Sequence, residues 1–277
     1  MPWIAAAKSV CRYVSCAAVS FSLRENSLMP ASKSALLKGP ERVPVKAAAK
    51  SHPKQERFEP KRDLAPERVK EILRRLDATY PNAECALHHR NAWELLVATI
   101  LSAQCTDARV NMVTPELFRQ FPTPKALANA PLPAIEELIR STGFYRNKAK
   151  SIQGAARKIV GDFAGQVPRT MAELLTVPGA ARKTASVVLG VAYGLAEGIV
   201  VDTHVLRISR RLHLTQATEP KKVEQDLMKI IPKDRWISFS HQVIHHGRQI
   251  CIARKPKCSD CPLETVCTSS DKTWSSH

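Results

Sequence analysis

Long apolar runs are missing from this sequence: the longest uncharged stretch near its start, Tyr13–Leu23, has 11 residues, too few to span a bilayer. No membrane segment is expected. No stretch alternates apolar and polar residues for long enough to suggest a sheet, and no unit of about 20–50 residues recurs as in solenoids and propellers. Acidic residues are scarce, 25 against 42 lysines and arginines, which leaves a net charge of +17. That excess is well above what solubility requires, and it points to a polyanionic partner. The excess is not confined to one end: residues 1–60 hold 10 basic and 4 acidic side chains, residues 61–277 hold 32 and 21.

A disulfide framework is missing too. Of the eight cysteines, Cys11, Cys16, Cys85 and Cys105 are scattered, whereas the other four crowd into positions 251–267. Such clustering fits metal ligation in a reducing compartment. What is present in quantity is apolar surface, 44% of the residues, enough for one large or two modest domains. Two are expected. The first 24 residues are rich in Ser and Ala, with Lys8, Arg12 and Arg24 and no acid, which permits a mitochondrial transit peptide; a start at Met29 fits equally. From about Met29 to Pro60, Lys, Pro, Ala and Ser dominate, so residues 1–62 are expected to form a disordered basic tail with a targeting segment as an option.

From Asp63 onward the period becomes helical. Val69, Ile72, Leu73 and Leu76 fall at i, i+3, i+4 and i+7, and the same spacing recurs in Trp93, Leu96, Val97, Ile100 and Leu101, in Ile135, Leu138 and Ile139, and in Val187, Val188, Val191 and Ala192. Proline and glycine signals such as Phe121-Pro122-Thr123-Pro124, Pro131-Leu132-Pro133, Thr142-Gly143 and Val177-Pro178-Gly179 separate these segments. The chain is therefore expected to be all-α, in helices of roughly 10–16 residues with short connections. The last, Arg235 to Ile250, leads into the cysteines.

Cys251, Cys258, Cys261 and Cys267 are spaced C-x6-C-x2-C-x5-C. Four soft thiolates suit tetrahedral zinc or an iron–sulfur cubane, and spacing alone leaves both open. Between the first two ligands, Arg254, Lys255 and Lys257 form a basic loop pinned at both ends, able to hold cations toward phosphates. Around Val177-Pro178-Gly179-Ala180-Ala181-Arg182-Lys183 a hairpin joins two helices. Its N–H groups, at a helix N-terminus, can receive an anion such as a DNA phosphate; an ordinary helical connection has the same look.

Lys183 stands in the first turn of the second of these helices, beside Arg182. The helix dipole and a neighbouring cation both favour a neutral, nucleophilic amine, although a surface lysine on phosphate would occupy the same place. Asp202, in Val201-Asp202-Thr203-His204, reads as an N-cap, and a carboxylate held so rigidly can also stabilise an oxocarbenium ion or position a nucleophile. Gln104 ends an apolar helix, and Phe144 follows a glycine turn and precedes Arg146. An aromatic there is either core or a wedge for the gap that a flipped base vacates.

Taken in order, Leu101-Ser102-Ala103-Gln104, the hairpin with Lys183, Val201-Asp202-Thr203-His204, His246-Gly247-Arg248 and the cysteine pattern resemble the endonuclease III family, bifunctional DNA glycosylases and AP lyases of base-excision repair. The likeness runs from about Asp63 to Lys272. It implies Lys183 as nucleophile, Asp202 as the catalytic aspartate that assists it, and a [4Fe–4S] cluster rather than zinc on Cys251, Cys258, Cys261 and Cys267. Gln104 falls on the residue that fills the gap left by the extruded nucleotide, and Phe144 where an intercalating leucine is usual. Gly179, Ala181 and Arg182 fall on the phosphate-binding hairpin, with Ala181 in place of a second glycine; its N–H still serves if φ is negative.

Two helical domains flanking a DNA groove are implied: a bundle of six helices over about 85–195, and a cluster domain of residues 63–84 and 196–272. The implied partner is duplex DNA with a damaged base or abasic site. A monomer is expected, without a membrane, cytoplasmic on the nucleoid in a bacterium and nuclear or mitochondrial in a eukaryote. A monofunctional mismatch glycosylase of the same superfamily, which generally lacks the lysine, and a non-catalytic helix-hairpin-helix DNA-binding protein are the alternatives.

Overall fold

A computed structural model describes residues 58–274, so the expectations for residues 1–57 lie outside the described residues. Among those described there is no strand, and no helix is long and apolar enough to cross a membrane. The chain enters through a single turn, α1 (Pro60–Asp63), and then α2 (Pro66–Thr79). Among the described residues, helical order thus begins at Pro60, and three residues of the segment expected to be tail, 60–62, belong to α1. Asp63 fixes it there: fully buried, its carboxylate accepts from the Glu59 N–H at 2.8 Å and the Thr268 hydroxyl at 3.3 Å.

Seven α-helices follow within residues 85–195: α3 (Ala92–Leu101), α4 (Asp107–Gln120), α5 (Pro124–Asn129), α6 (Leu132–Ile139), α7 (Tyr145–Asp162), α8 (Met171–Leu174) and α9 (Arg182–Tyr193). This is one more than the six expected, and their lengths spread more widely than the 10–16 residues expected. Pro124 and Pro131 bracket α5 and hold it to six residues. Thr170 and the turn before Pro178 confine α8 to four. Proline at a first helical position costs nothing, because that N–H has no intrahelical partner, but the residue before a proline is driven out of the helical region. Side-chain caps start several of these helices: Asn91 accepts from Glu94 N at 3.0 Å, Thr106 from Arg109 N at 3.3 Å and Thr123 from Ala126 N at 3.1 Å.

Three more helices, α10 (Thr203–Arg211), α11 (Pro220–Ile230) and α12 (Trp236–Gln249), precede the cysteines. Buried side chains form two clusters. The first gathers residues of α3 through α9, with Leu95, Leu96, Leu101, Leu117, Ile135, Ile152 and Leu189 fully enclosed. The second joins Ile72 and Leu76 of α2 to Val205, Leu227, Phe239 and Val243 of the last three helices and to Leu263 among the cysteines. The chain's start is tied to its end by arginines as well. Arg68 donates to Leu212 O at 2.8 Å and to Val266 O at 2.7 Å, and Arg75 to Pro262 O at 2.9 Å, so α2 grips the carbonyls of the cysteine segment.

Close approach of α10 and α12 depends on Gly247. A Cβ there would lie 2.8 Å from His204 Nδ1 and 2.9 Å from Ile208 Cδ1, and Ile208 is buried with nowhere to retreat. Overpacking of this kind costs about 1–3 kcal/mol, more than the ~1 kcal/mol that alanine returns in helix propensity. Gly247→Ala is therefore expected to lower the denaturant midpoint at unchanged slope; an unchanged or higher midpoint would show that the two helices have room to spare.

Candidate active site and nucleic-acid interface

A cavity of about 110 Å³ opens between elements of the two buried clusters. Lys183 and Asp202 both line it, although they come from different sides: Lys183 from α9, Asp202 from the start of α10. The helix carrying Lys183 has no side-chain cap; Ala181 takes the cap position with φ −73°, the negative value its N–H needs to face outward. The first N–H groups of α9 lack intrahelical acceptors by construction, and Lys183 itself is solvent-exposed. Gly179 holds the preceding turn at φ +79°, where an added Cβ would meet Ser151 at 3.1 Å and Ile100 at 3.3 Å. Glycine is required at that corner and not at Ala181, which explains how the hairpin accommodates alanine in place of its second glycine.

Asp202 caps α10 with one oxygen. Oδ1 accepts from His204 N and Val205 N, both at 2.8 Å, so the cap leaves Oδ2 unused. The cap expected from sequence and a carboxylate available to the cavity are therefore compatible in one side chain. Opposite, Arg248 of α12 pairs with Asp107 at the start of α4, Nη2 to Oδ2 2.5 Å, and both line the cavity. His241 and His245, one turn apart on α12, line it as well, and burial pushes the His241 ring below its ordinary value, toward neutrality. Arg248 belonged to a motif whose side chains had no assigned role, and Asp107 and the two histidines carried no motif at all.

Arg182 stands differently from the cation toward phosphate expected. Its Nε and Nη2 donate to Glu224 Oε2 and Oε1 at 3.1 and 3.0 Å. Its guanidinium is thus held by a carboxylate on α11 while its side chain stays half exposed.

Gln104 and Phe144 are both exposed, Phe144 to 66% of its surface, so Phe144 is not a core residue. Helix α3 ends at Leu101, and Gln104 sits in the turn beyond it rather than at the helix end. Both residues adopt positive φ, +53° and +47°, uncommon for side chains larger than glycine and frequent where a residue is presented for function. A brace lies beneath Phe144: the buried Lys148 donates from Nζ to Thr142 O at 2.8 Å, locking the turn through Gly143. Arg146 follows, exposed, and the loop residues Arg254, Lys255 and Lys257 are exposed on either side of the buried Pro256.

The four clustered cysteines line a second cavity of about 30 Å³, and all are free thiols. Two sulfurs receive donors, Cys251 from Arg211 Nη1 at 3.3 Å and Cys258 from Thr273 N at 3.4 Å, and the Cys261 sulfur lies 3.6 Å from His246 Nε2. Burial pushes the His246 ring down to about 4, so it is neutral near pH 7, and burial holds Tyr80 protonated by pushing it up to about 12. The Tyr80 hydroxyl lies 3.0 Å from His246 Nδ1. A neutral ring accepting there carries its proton on Nε2, facing the Cys261 sulfur. Among the described residues, the four cysteines included, no group of three or more His, Cys, Asp or Glu side chains is already gathered around a metal-sized space.

Residues 97–233 match the HhH-GPD superfamily of base excision DNA repair proteins. An endonuclease III of Synechocystis sp. is 57% identical over 204 residues, 74% of this chain and 93% of that one. The chain belongs to the endonuclease III family. Within the family, the Bacillus subtilis enzyme is 44% identical over 72% of this chain and 91% of its own length. A solved structure of a trapped endonuclease III–DNA covalent intermediate, an estranged-adenine complex, superimposes with a TM-score of 0.70 at 44% identity, covering 74% of this chain and 97% of that one. The chain thus shares the all-helical family fold.

Proposed function

We propose that this endonuclease III family chain is a base-excision DNA glycosylase with AP lyase activity, acting on oxidised pyrimidines in duplex DNA. One observation carries the proposal: Lys183 and Asp202, from separate helices, line a single cavity. The two buried clusters serve as its two domains, with DNA in the groove between them. Duplex DNA bends over the exposed hairpin, Arg146 and the basic loop; Phe144 enters the stack and Gln104 fills the gap opposite. The damaged base turns into the cavity beside His241, His245 and Arg248. Lys183 Nζ attacks C1′ of the sugar, the bond from C1′ to the base breaks, and the base leaves with its electron pair while Asp202 offsets positive charge on the sugar. Loss of a proton from the lysine nitrogen and opening of the sugar ring give a Schiff base. Removal of a C2′ proton then expels the 3′ phosphate and nicks the strand.

Cys251, Cys258, Cys261 and Cys267 are proposed to hold a [4Fe–4S] cluster. Their donor chemistry supports this: four free thiols line one cavity, a soft-donor set that suits iron–sulfur ligation. Such a group would staple the segment after α12 and so pose Arg254, Lys255 and Lys257. The chain is expected to act as a monomer, on the nucleoid if the cell is bacterial.

A panel of duplexes carrying thymine glycol, an abasic site, uracil, or mismatched thymine or adenine separates this function from a monofunctional glycosylase when base release and nicking are scored apart. Release and nicking together on thymine glycol, with nicking of the abasic duplex, are expected. Base release without nicking would assign the monofunctional chemistry, and neither activity would leave a DNA-binding protein. Asp202 offers a sharper test. Asparagine caps a helix about as well as aspartate, so Asp202→Asn is expected to change stability by less than ~0.5 kcal/mol, whereas Asp202→Ala costs about 1 kcal/mol. Base release by Asp202→Asn is nevertheless expected to fall roughly 100-fold or more at unchanged DNA affinity. Equal losses in stability and base release would reduce Asp202 to a cap.

A further inference from the structure

Lys183 and Asp202 approach their cavity from two separately packed bodies of side chains, and the backbone joining them, residues 194–202, has no helix. At its ends Gly194 N donates to Gly190 O at 3.1 Å, Leu195 N to Leu189 O at 2.9 Å and Leu206 N to Asp202 O at 2.9 Å; between them the bonds are Glu197 N to Leu195 O at 3.1 Å and Val200 N to Ser240 Oγ at 3.1 Å. Such a connection cannot by itself hold an amine and a carboxylate in register. One residue before Lys183, however, Arg182 makes its two-pronged bond to Glu224 of α11. The carboxylate is buried, with 9% of its side chain exposed. It also lies directly over the connection, because a Cβ on Gly198 would fall 2.1 Å from Glu224 Oε1 and 3.7 Å from Arg182 Nη2. Three segments therefore meet at one ion pair: the first turn of α9, the connection, and α11.

We propose that Arg182 and Glu224 are a positioning pair, a latch between the two bodies that sets where Lys183 stands relative to Asp202. The proposal rests on the lyase function above and adds residues that touch neither sugar nor base. A two-pronged guanidinium–carboxylate bond fixes angle as well as distance, and a buried carboxylate deprived of its partner is costly, so the pair stays closed while α9 carries the nucleophile. Misplacing a reacting group by about 1 Å costs roughly 100-fold in rate. Bare glycine at 198 is explained by the same geometry, since any side chain there would displace the carboxylate.

The test compares Glu224→Gln, Arg182→Gln and the exchanged pair Arg182→Glu with Glu224→Arg, using full-length protein whose circular dichroism and 400 nm absorbance match the parent. Single-turnover formation of the borohydride-trapped adduct, at saturating abasic duplex, is expected to slow roughly 10–100-fold in each single variant. Affinity for a duplex with a non-reactive abasic analogue should change less than about threefold, and the exchanged pair should recover most of the lost rate. Glu224→Asp, which keeps the charge on a shorter arm, should fall between parent and Glu224→Gln. If Arg182 instead contacts phosphate, Glu224→Gln will trap at the parental rate, while Arg182→Gln weakens binding and lowers the salt slope by about one; that result overturns the latch. A parent protein that forms no adduct contradicts the lyase function instead. The latch is then judged by hydrogen exchange over residues 194–202: faster exchange in Glu224→Gln supports it, unchanged exchange overturns it.

Discussion

Replacing Lys183 with glutamine is expected to abolish covalent trapping on abasic DNA under borohydride and to lower strand nicking roughly 1000-fold or more, since the proposed nucleophile is its amine. Binding should survive, because Lys183 is one cation among many in a chain of net charge +17, and one lost phosphate contact lowers the salt slope by no more than about one. The expectation follows from placement. Lys183 stands exposed in the first turn of α9, lines the cavity with Asp202, and has Arg182 as its neighbour, whose charge is already held by Glu224. Glutamine is one atom shorter than lysine, remains polar, and removes the amine together with its charge. Loss of binding in parallel with loss of nicking would make Lys183 a phosphate contact.

Replacing Cys261 with serine is expected to remove the absorbance near 400 nm and to lower the melting temperature by about 10 °C, the scale on which lost metal ligation acts in a chain of this size. Cys261 is chosen because it sits between the His246 ring and Leu263, which is buried in the second cluster with α2 and α10 through α12. Loosening this point frees the carbonyls of Pro262 and Val266 from Arg75 and Arg68 and releases Arg254, Lys255 and Lys257 from their pose. Nicking should fall through weaker DNA binding rather than slower chemistry, so saturating DNA should restore part of the rate. Metal analysis of the parent should find iron; zinc, or a serine variant with unchanged absorbance, would contradict a cluster on these residues.

Much of the fold was legible because its signals are local. The spacing of Val69, Ile72, Leu73 and Leu76 places all four on the buried face of α2, and Asp202 before a helical run announces its cap. Tertiary relations were not legible. Arg182 and Glu224 lie 42 positions apart and Arg248 and Asp107 lie 141 apart; nothing in either neighbourhood points to the other, so Arg182 read as a cation toward phosphate and Asp107 drew no reading. Phe144 was ambiguous for a different reason: a core aromatic and a presented one have the same sequence, and only its exposure and positive φ separate them. The shortest helices, α5 with six residues and α8 with four, carry too few apolar positions to show a period.

The account turns on one covalent bond, between the Lys183 nitrogen and the opened sugar. Peptide mass spectrometry of the borohydride-trapped complex, after nuclease and protease digestion, reads its position directly. The sugar remnant is expected on the peptide containing Lys183 and on no other. A remnant on any other lysine, or a complex that nicks abasic DNA while leaving no adduct, would contradict the assignment of Lys183 as the nucleophile.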